Sequence, residues 1–292
     1  MVNDQASALR NLVKNRETKN QAHTIAIFSG KGGVGKSNFV VNFGLALSKH
    51  HKKVMMIDLD IGMGNIDILL GKHPTYSIAD MLEKKLRIFD MIETVNENFS
   101  YIAAGTSLTH FFKMDDEAKA HFVEQFQALV DSYDFILFDL GAGMTSNHLT
   151  FIEAADQCIV LTTPEPTSLT DSYAAMKHLI LDSDRKNVHM SLLVNRTTRL
   201  QEGLDVYERL REVIANFLNY QLDFLGQLPD DPIVTKAVKQ QQPFLTLYPK
   251  ASISKSLQDL VLRFLKEERP SQTQPTKRFM QRIKSIFSKH SS

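Results

Sequence analysis

The stretch Gly30-Lys31-Gly32-Gly33-Val34-Gly35-Lys36-Ser37 follows an apolar run, Thr24–Ser29, and opens a segment of helical spacing, Lys36–His50. It has P-loop spacing: a glycine, four residues, then Gly-Lys-Ser. Glycines let the backbone wrap a phosphate chain with its N–H groups turned inward, and the helix start adds the positive end of its dipole. The stretch from Gly30 to Ser37, with Asn38 behind it, is therefore the candidate nucleotide site. Lys36 is placed to bridge the β- and γ-phosphates, and the Ser37 hydroxyl to ligate Mg²⁺. A plain glycine-rich βα turn, the bland alternative, asks for neither residue.

Outward from this loop, Lys53–Asp58, Ser100–Ala103, Asp134–Asp139, Gln157–Leu161, Val188–Val194 and Asp223–Gln227 read as strands. Helical patterns over Asp116–Ser132, Leu169–Leu181 and Leu204–Tyr220 separate several of them. Apolar strands joined by helix-length connections predict a doubly wound α/β domain, a mostly parallel sheet with helices on both faces. Ligands in such sheets bind at the carboxyl ends of the strands.

The 292 residues, 43% hydrophobic and 23% charged, suit a large globular domain. The single cysteine, Cys158, rules out an internal disulfide and a cysteine-held cluster, and with it a nitrogenase-reductase-like electron carrier. No apolar stretch reaches transmembrane length, and the polar start has no signal-peptide character, so a cytoplasmic protein is expected. Charge is unevenly spread: residues 270–292 hold five basic residues and no acidic one, and the other 269 hold 29 basic and 33 acidic. A slightly acidic body disfavours nucleic acid as a partner.

Two further segments carry carboxylates at strand ends. In Met56-Ile57-Asp58-Leu59-Asp60, strand period puts Asp58 and Asp60 on one side, which suits cation binding and alignment of an attacking water. A purely structural strand-end role for Asp58 stays open. Phe135-Ile136-Leu137-Phe138-Asp139 is an apolar strand ending in Asp, the Walker B pattern. Asp139 is expected to hold Mg²⁺ through water, and Leu140-Gly141-Ala142-Gly143 to form a phosphate-sensing switch. No Asn/Thr-Lys-x-Asp guanine motif is present; Thr235-Lys236-Ala237-Val238 lacks the Asp.

With Lys31 ahead of Gly32-Gly33, the loop resembles the deviant Walker A motif of the MinD/ParA ATPases. The resemblance implies that Lys31 reaches the partner's nucleotide in an ATP-bound homodimer. It also implies that Asp60 positions water, with Asp58 in support, as in switch I of that family. Gly141 stands where MinD usually has Pro. Val194-Asn195-Arg196 and Leu228-Pro229-Asp230-Asp231 resemble the family's adenine-contacting segments, which favours ATP and names Asn195, Pro229 and Asp230. Capping or turn formation explains either segment nearly as well taken alone.

The ends extend the resemblance. Lys277–Lys289 has apolar residues at Phe279, Met280, Ile283, Ile286 and Phe287 with basic residues around them, a pattern expected of a helix lying on an anionic membrane. A helix docked on the body and a nucleic-acid contact are the alternatives. Asp4-Gln5-Ala6-Ser7-Ala8-Leu9-Arg10 matches the terminal element of the FlhG (YlxH/FleN) family of flagellar number regulators. That family implies stimulation of the GTPase FlhF through Asp4, Gln5, Ala6, Leu9 and Arg10, and contacts with FliM and FliY or FliN. A frayed terminus is the bland account. The expected organisation is an arm at 1–20, an ATPase domain at 21–269, a linker at 270–276 and a membrane helix at 277–292. The protein would be cytoplasmic with ADP and peripheral on the inner membrane face as an ATP dimer. MinD-type division control and ParA-type DNA partitioning are the competing functions.

Overall fold

The computed structural model describes residues 22–60, 66–103, 116–143, 146–182, 188–267 and 277–289. The arm residues Asp4, Gln5, Ala6, Leu9 and Arg10, the 270–276 linker and the side chain of Phe287 lie outside what is described.

The chain runs β1 (His23–Ser29), α1 (Lys36–Lys49), β2 (Val54–Leu59), α2 (Ile66–Leu70), α3 (Ile78–Lys84), β3 (Glu93–Asn96), β4 (Phe99–Ile102) and α4 (Asp116–Val130). It continues through β5 (Phe135–Ala142), α5 (Ser146–Ala154), β6 (Gln157–Thr162), α6 (Pro166–Asp182), β7 (Met190–Thr197) and α7 (Glu202–Leu218). It closes with β8 (Asp223–Pro229), α8 (Pro232–Lys239), α9 (Phe244–Leu247), α10 (Ser252–Glu267) and α11 (Lys277–Lys289). The eight strands form one sheet in the order β3-β4-β2-β5-β1-β6-β7-β8. All pairings are parallel except β3 with β4. This is the doubly wound architecture expected. The missed strand is β3: Glu93-Thr94-Val95-Asn96 has no apolar run because it is a half-exposed antiparallel edge.

Alternation along the strands fills both faces of the sheet. On β1, Ile25 and Ile27 pack with Phe39 and Phe43 of α1 and with Leu257 and Phe264 of α10. Ala26 and Phe28 point the other way, toward Phe126, Phe151 and Met176. With both faces covered, the strands are continuously apolar, and the central β1 lies between β5 and β6 with its carboxyl end carrying the P-loop.

The structure docks α11 on the body, the alternative left open beside a membrane-lying helix. Phe279, Met280 and Ile283 are buried in the core, and Ile286 packs against it. The Phe279 ring lies 5.4 Å from that of Phe126 and 5.5 Å from that of Phe138. Arg282 donates to the carbonyls of Ala154 (2.9 Å) and Ala155 (2.8 Å) at the end of α5 and stands 3.7 Å from Asp156. The same apolar face suits a protein groove and a lipid surface, so periodicity alone could not choose between them.

Candidate functional site

The P-loop leaves β1 and enters α1 through two left-handed glycines, Gly33 at φ 78° and Gly35 at φ 95°. Gly35 is required on steric grounds as well, because a Cβ there would lie 2.5 Å from Nδ2 of Asn195. That amide donates to the Val34 carbonyl at 2.8 Å, so Asn195 at the end of β7 fixes the loop from across the sheet. Val34 itself turns inward and is buried in the core. Gly30 sits where a Cβ would strike the Asp171 backbone at 2.2 Å, which brings α6 hard against the loop.

Beneath the loop lies a small charged cluster. Lys36 Nζ pairs with Asp139 Oδ1, and the two side chains are only 7% and 0% exposed. Strand register sets Asp58 of β2 beside Asp139 of β5. The Asp60 N–H donates to Asp58 Oδ1 at 2.9 Å. Burial pushes the Asp58 carboxyl up to about 8, helped by the negative charge of Asp139. Burial also raises Asp60, with Lys36 opposing and Asp139 adding to the shift. Even with Asp58 protonated, Asp60 and Asp139 face a single ammonium, and among the described residues the second oxygen of Asp139 is buried without a hydrogen-bond partner.

Those features fit Mg²⁺. Ser37, Asp139 and Asp60 would hold it together with phosphate oxygens and water, the usual arrangement for this ion, which needs few protein ligands. No group of three or more His, Cys, Asp or Glu side chains among the described residues could hold a metal by itself.

The strand that carries Asp139 continues through Leu140 and Gly141 to Ala142 before Gly143 turns it at φ 81°. A Cβ on Gly141 would meet Asp60 Oδ1 at 2.9 Å and His148 Cε1 at 3.3 Å. A larger residue at this position would therefore displace the carboxylate. The His148 ring faces the Gly143 carbonyl through Nδ1 at 3.2 Å, and desolvation lowers its pKa. His148 was not legible as a site residue, since it lies on α5, beyond the recognisable motif.

Lys31 is held away from the cluster, at the mouth of the loop. Its Nζ donates to Thr167 Oγ1 at 2.8 Å and to Glu165 Oε2 at 3.3 Å. Glu165 and Thr167 follow the carboxyl end of β6; the rule that such ends carry the chemistry was the one signal that could have singled them out. Beside the loop opens a cavity of about 660 Å³ lined by Asn38, Phe39, Thr163, Asn195, Pro229 and Asp230 among others. The structure thus brings Gly35, Asn38, Asn195, Pro229 and Asp230 to one cavity, while Asp58, Asp60 and Asp139 gather around Lys36 at the start of α1.

A phosphate-wrapping loop, a buried lysine, strand-end carboxylates and a base-sized cavity together define a P-loop nucleoside triphosphatase. Comparison with known proteins agrees. The family model described as ParA, NUBPL iron-transfer P-loop NTPase, matches residues 20–265. Antiactivator FleN of Pseudomonas aeruginosa is 30% identical over 242 residues, which is 83% of this chain and 86% of that protein. The flagellum site-determining protein YlxH of Helicobacter pylori is 31% identical over 268 residues, 89% of each chain. In structure, MinD in the Aquifex aeolicus MinC:MinD cell division complex matches with a TM-score of 0.66 at 26% identity, over 86% of this chain and 98% of that one. Pyrococcus horikoshii MinD complexed with Mg-ADP matches at 0.67 and 25%, over 83% and 96%. The chain belongs to the ParA/MinD family of P-loop NTPases, and the likeness to FleN and YlxH read from its sequence is borne out.

Proposed function

We propose that the protein is an ATP-dependent, dimerising ATPase that associates with the membrane and regulates flagellar number and placement. The observation that carries this reading is Lys31. It is a second P-loop lysine, 38% exposed, and among the described residues its ammonium is bound to the surface side chains Glu165 and Thr167. An exposed ion pair is worth about 1 kcal/mol or less, so a partner's nucleotide phosphates can draw the ammonium away from Glu165. Lys36 would leave Asp139 for the β- and γ-phosphates, and Asp60 would orient the attacking water. Mg²⁺, held through Ser37, Asp139 and Asp60, would withdraw charge from those phosphates.

Membrane association requires α11 to leave its seat. The docked Phe279, Met280 and Ile283 would exchange one apolar environment for another, and nucleotide-driven dimerisation would have to offset the uncovering of Phe126 and Phe138 beneath them. No helix among the described residues is long and apolar enough to cross a membrane, which leaves α11 to act at its surface. The arm Asp4–Arg10 would stimulate FlhF, and FliM and FliY or FliN would be further partners, on the strength of the FlhG resemblance. A division-site role is the second reading, supported by 30% identity to Helicobacter pylori MinD over 276 residues.

Size-exclusion chromatography with saturating ATP tests the switch. Asp60→Ala should accumulate as a dimer, because the state that hydrolysis releases persists; a variant that stays monomeric refutes the scheme. A peptide of residues 1–20 should accelerate GTP hydrolysis by FlhF, with Gln5→Ala or Leu9→Ala peptides much weaker. An inactive peptide beside an active full-length protein would transfer that function to the ATPase domain.

A further inference from the structure

Two basic runs stand on the surface of the body, and they are treated differently. In Lys84-Lys85-Leu86-Arg87 each charge has an acidic partner: Lys84 has Asp80 (2.6 Å), Lys85 has Glu117 (2.7 Å) and Arg87 has Asp90 (2.9 Å). Lys49-His50-His51-Lys52-Lys53, between α1 and β2, makes no side-chain ion pair among the described residues. Lys49, His51 and Lys53 are exposed, and His50 and Lys52 are half-exposed. Lys49 and His50 also suit the negative end of the α1 dipole, but His51, Lys52 and Lys53 lie beyond it, His51 with its backbone turned to φ 58°. The Asp134 carboxylate accepts the backbone N–H of Lys53 at 2.7 Å, and the exposed Glu97 lies in the turn that joins β3 to β4.

The position of this run gives it a partner. It lies at the amino-terminal edge of the sheet, opposite the nucleotide cleft, where the Lys53 carbonyl accepts from the N–H of Phe135 at 3.1 Å. The Phe135 ring is 6.1 Å from that of Phe264, in the last turn of α10, just before residues 268–276. The seat of α11 reaches the same edge. Arg282 bonds the carbonyls of Ala154 and Ala155, and the next residue, Asp156, donates from its N–H to the Thr24 carbonyl at the start of β1 (3.0 Å). The last turn of α10 and the seat of α11 therefore both reach the edge whose lysines make no ion pair among the described residues.

We propose that Lys49, His50, His51, Lys52 and Lys53 form a second anionic-lipid contact, which presses the amino-terminal edge of the sheet onto the membrane while α11 inserts. The choice of lipid as partner rests on the membrane reading of α11; the unpaired charge of the run does not. Each lysine near an anionic surface strengthens binding roughly fivefold, so three of them are a large increment to one short helix. The contact is electrostatic and weakens with salt, whereas insertion of Phe279 and Ile283 is not screened.

The test is co-sedimentation of the full-length protein, with ATP, on phosphatidylcholine vesicles with and without about one-third phosphatidylglycerol. Replacing Lys49, Lys52 and Lys53 together by Gln should weaken binding to the anionic vesicles at least tenfold, with the melting temperature and ATPase rate in solution unchanged. Replacing the three by Arg should preserve binding. A protein lacking residues 277–292 should retain weak, salt-sensitive binding to anionic vesicles only, and the Gln replacements should remove it. Wild-type affinity in the Gln variant overturns the proposal and leaves the α11 reading intact. Failure of the wild-type protein to bind any vesicle overturns both. A loss on duplex DNA that is absent on vesicles overturns the choice of lipid.

Discussion

The nucleotide cleft and the seat of α11 are held by opposite means. In the cleft, Lys36 and Asp139 are almost fully buried, Asp58 and Asp60 crowd beside them, the backbone is turned by the left-handed Gly33 and Gly35, and Gly30 and Gly35 have no room for a Cβ. Removing one member leaves a buried charge without compensation. In the seat, Phe279, Met280 and Ile283 cover the Phe126 and Phe138 rings, with Arg282 fastening the helix to two carbonyls at the end of α5. Those side chains need only an apolar environment, which a lipid surface also supplies. The contrast separates a part built to keep its geometry from a part built to exchange its surroundings.

The largest effect should follow from breaking the cleft. Lys36→Ala should weaken ATP binding by about 100-fold or more, measured by titration calorimetry, because the loop loses its phosphate-bridging charge. It should also lower the melting temperature, since breaking a buried pair costs about 3–5 kcal/mol. The seat should respond locally. Ile283→Glu would put a charge into the apolar contact, so hydrogen exchange at 277–289 should rise to the rate of a free helix while α1 and β5 keep their protection. Simultaneous loss of protection in β5 would show that α11 belongs to the cooperative core.

A smaller effect is set by pH. Asp58 is pushed up to about 8 by burial and by Asp139. Between its ordinary aspartate value and about 8, the folded protein keeps a proton that the unfolded chain releases. Stability of the nucleotide-free protein should therefore fall as pH rises through that window. Asp58→Asn should flatten the dependence and raise the melting temperature by several degrees at pH 8 but hardly at pH 4. The least change in stability should come from Lys31→Ala, within about 1 kcal/mol, because the Glu165 pair is exposed. Its ATPase activity should nevertheless be lost, a separation that a merely structural lysine would not produce.

What could be read in the sequence follows the same division. The cleft was legible because its parts are dictated by backbone geometry: Gly33 and Gly35 turn left-handed, Lys36 and Ser37 open a helix, and Asp58 and Asp139 close apolar runs on neighbouring buried strands, although β5 continues past Asp139 to Ala142. His148, Glu165 and Thr167 escaped because they come to the cleft from α5 and from the turn into α6, through tertiary packing that no local spacing records. The edge strand β3 escaped for want of an apolar run. For α11 the spacing of Phe279, Met280 and Ile283 correctly marked a helix with one apolar face. It carried no information on whether Phe138 or an acyl chain would cover that face.

The central claim is that the P-loop and Lys36 bind the nucleotide while Asp60 separately governs hydrolysis. Single-turnover hydrolysis by wild-type protein and Asp60→Ala, with ATP affinity measured on the same samples, tests it most directly. The account predicts affinities within about threefold of each other and a hydrolysis rate reduced about 100-fold or more in the variant. Hydrolysis at the wild-type rate, or loss of ATP binding in parallel with activity, would contradict it.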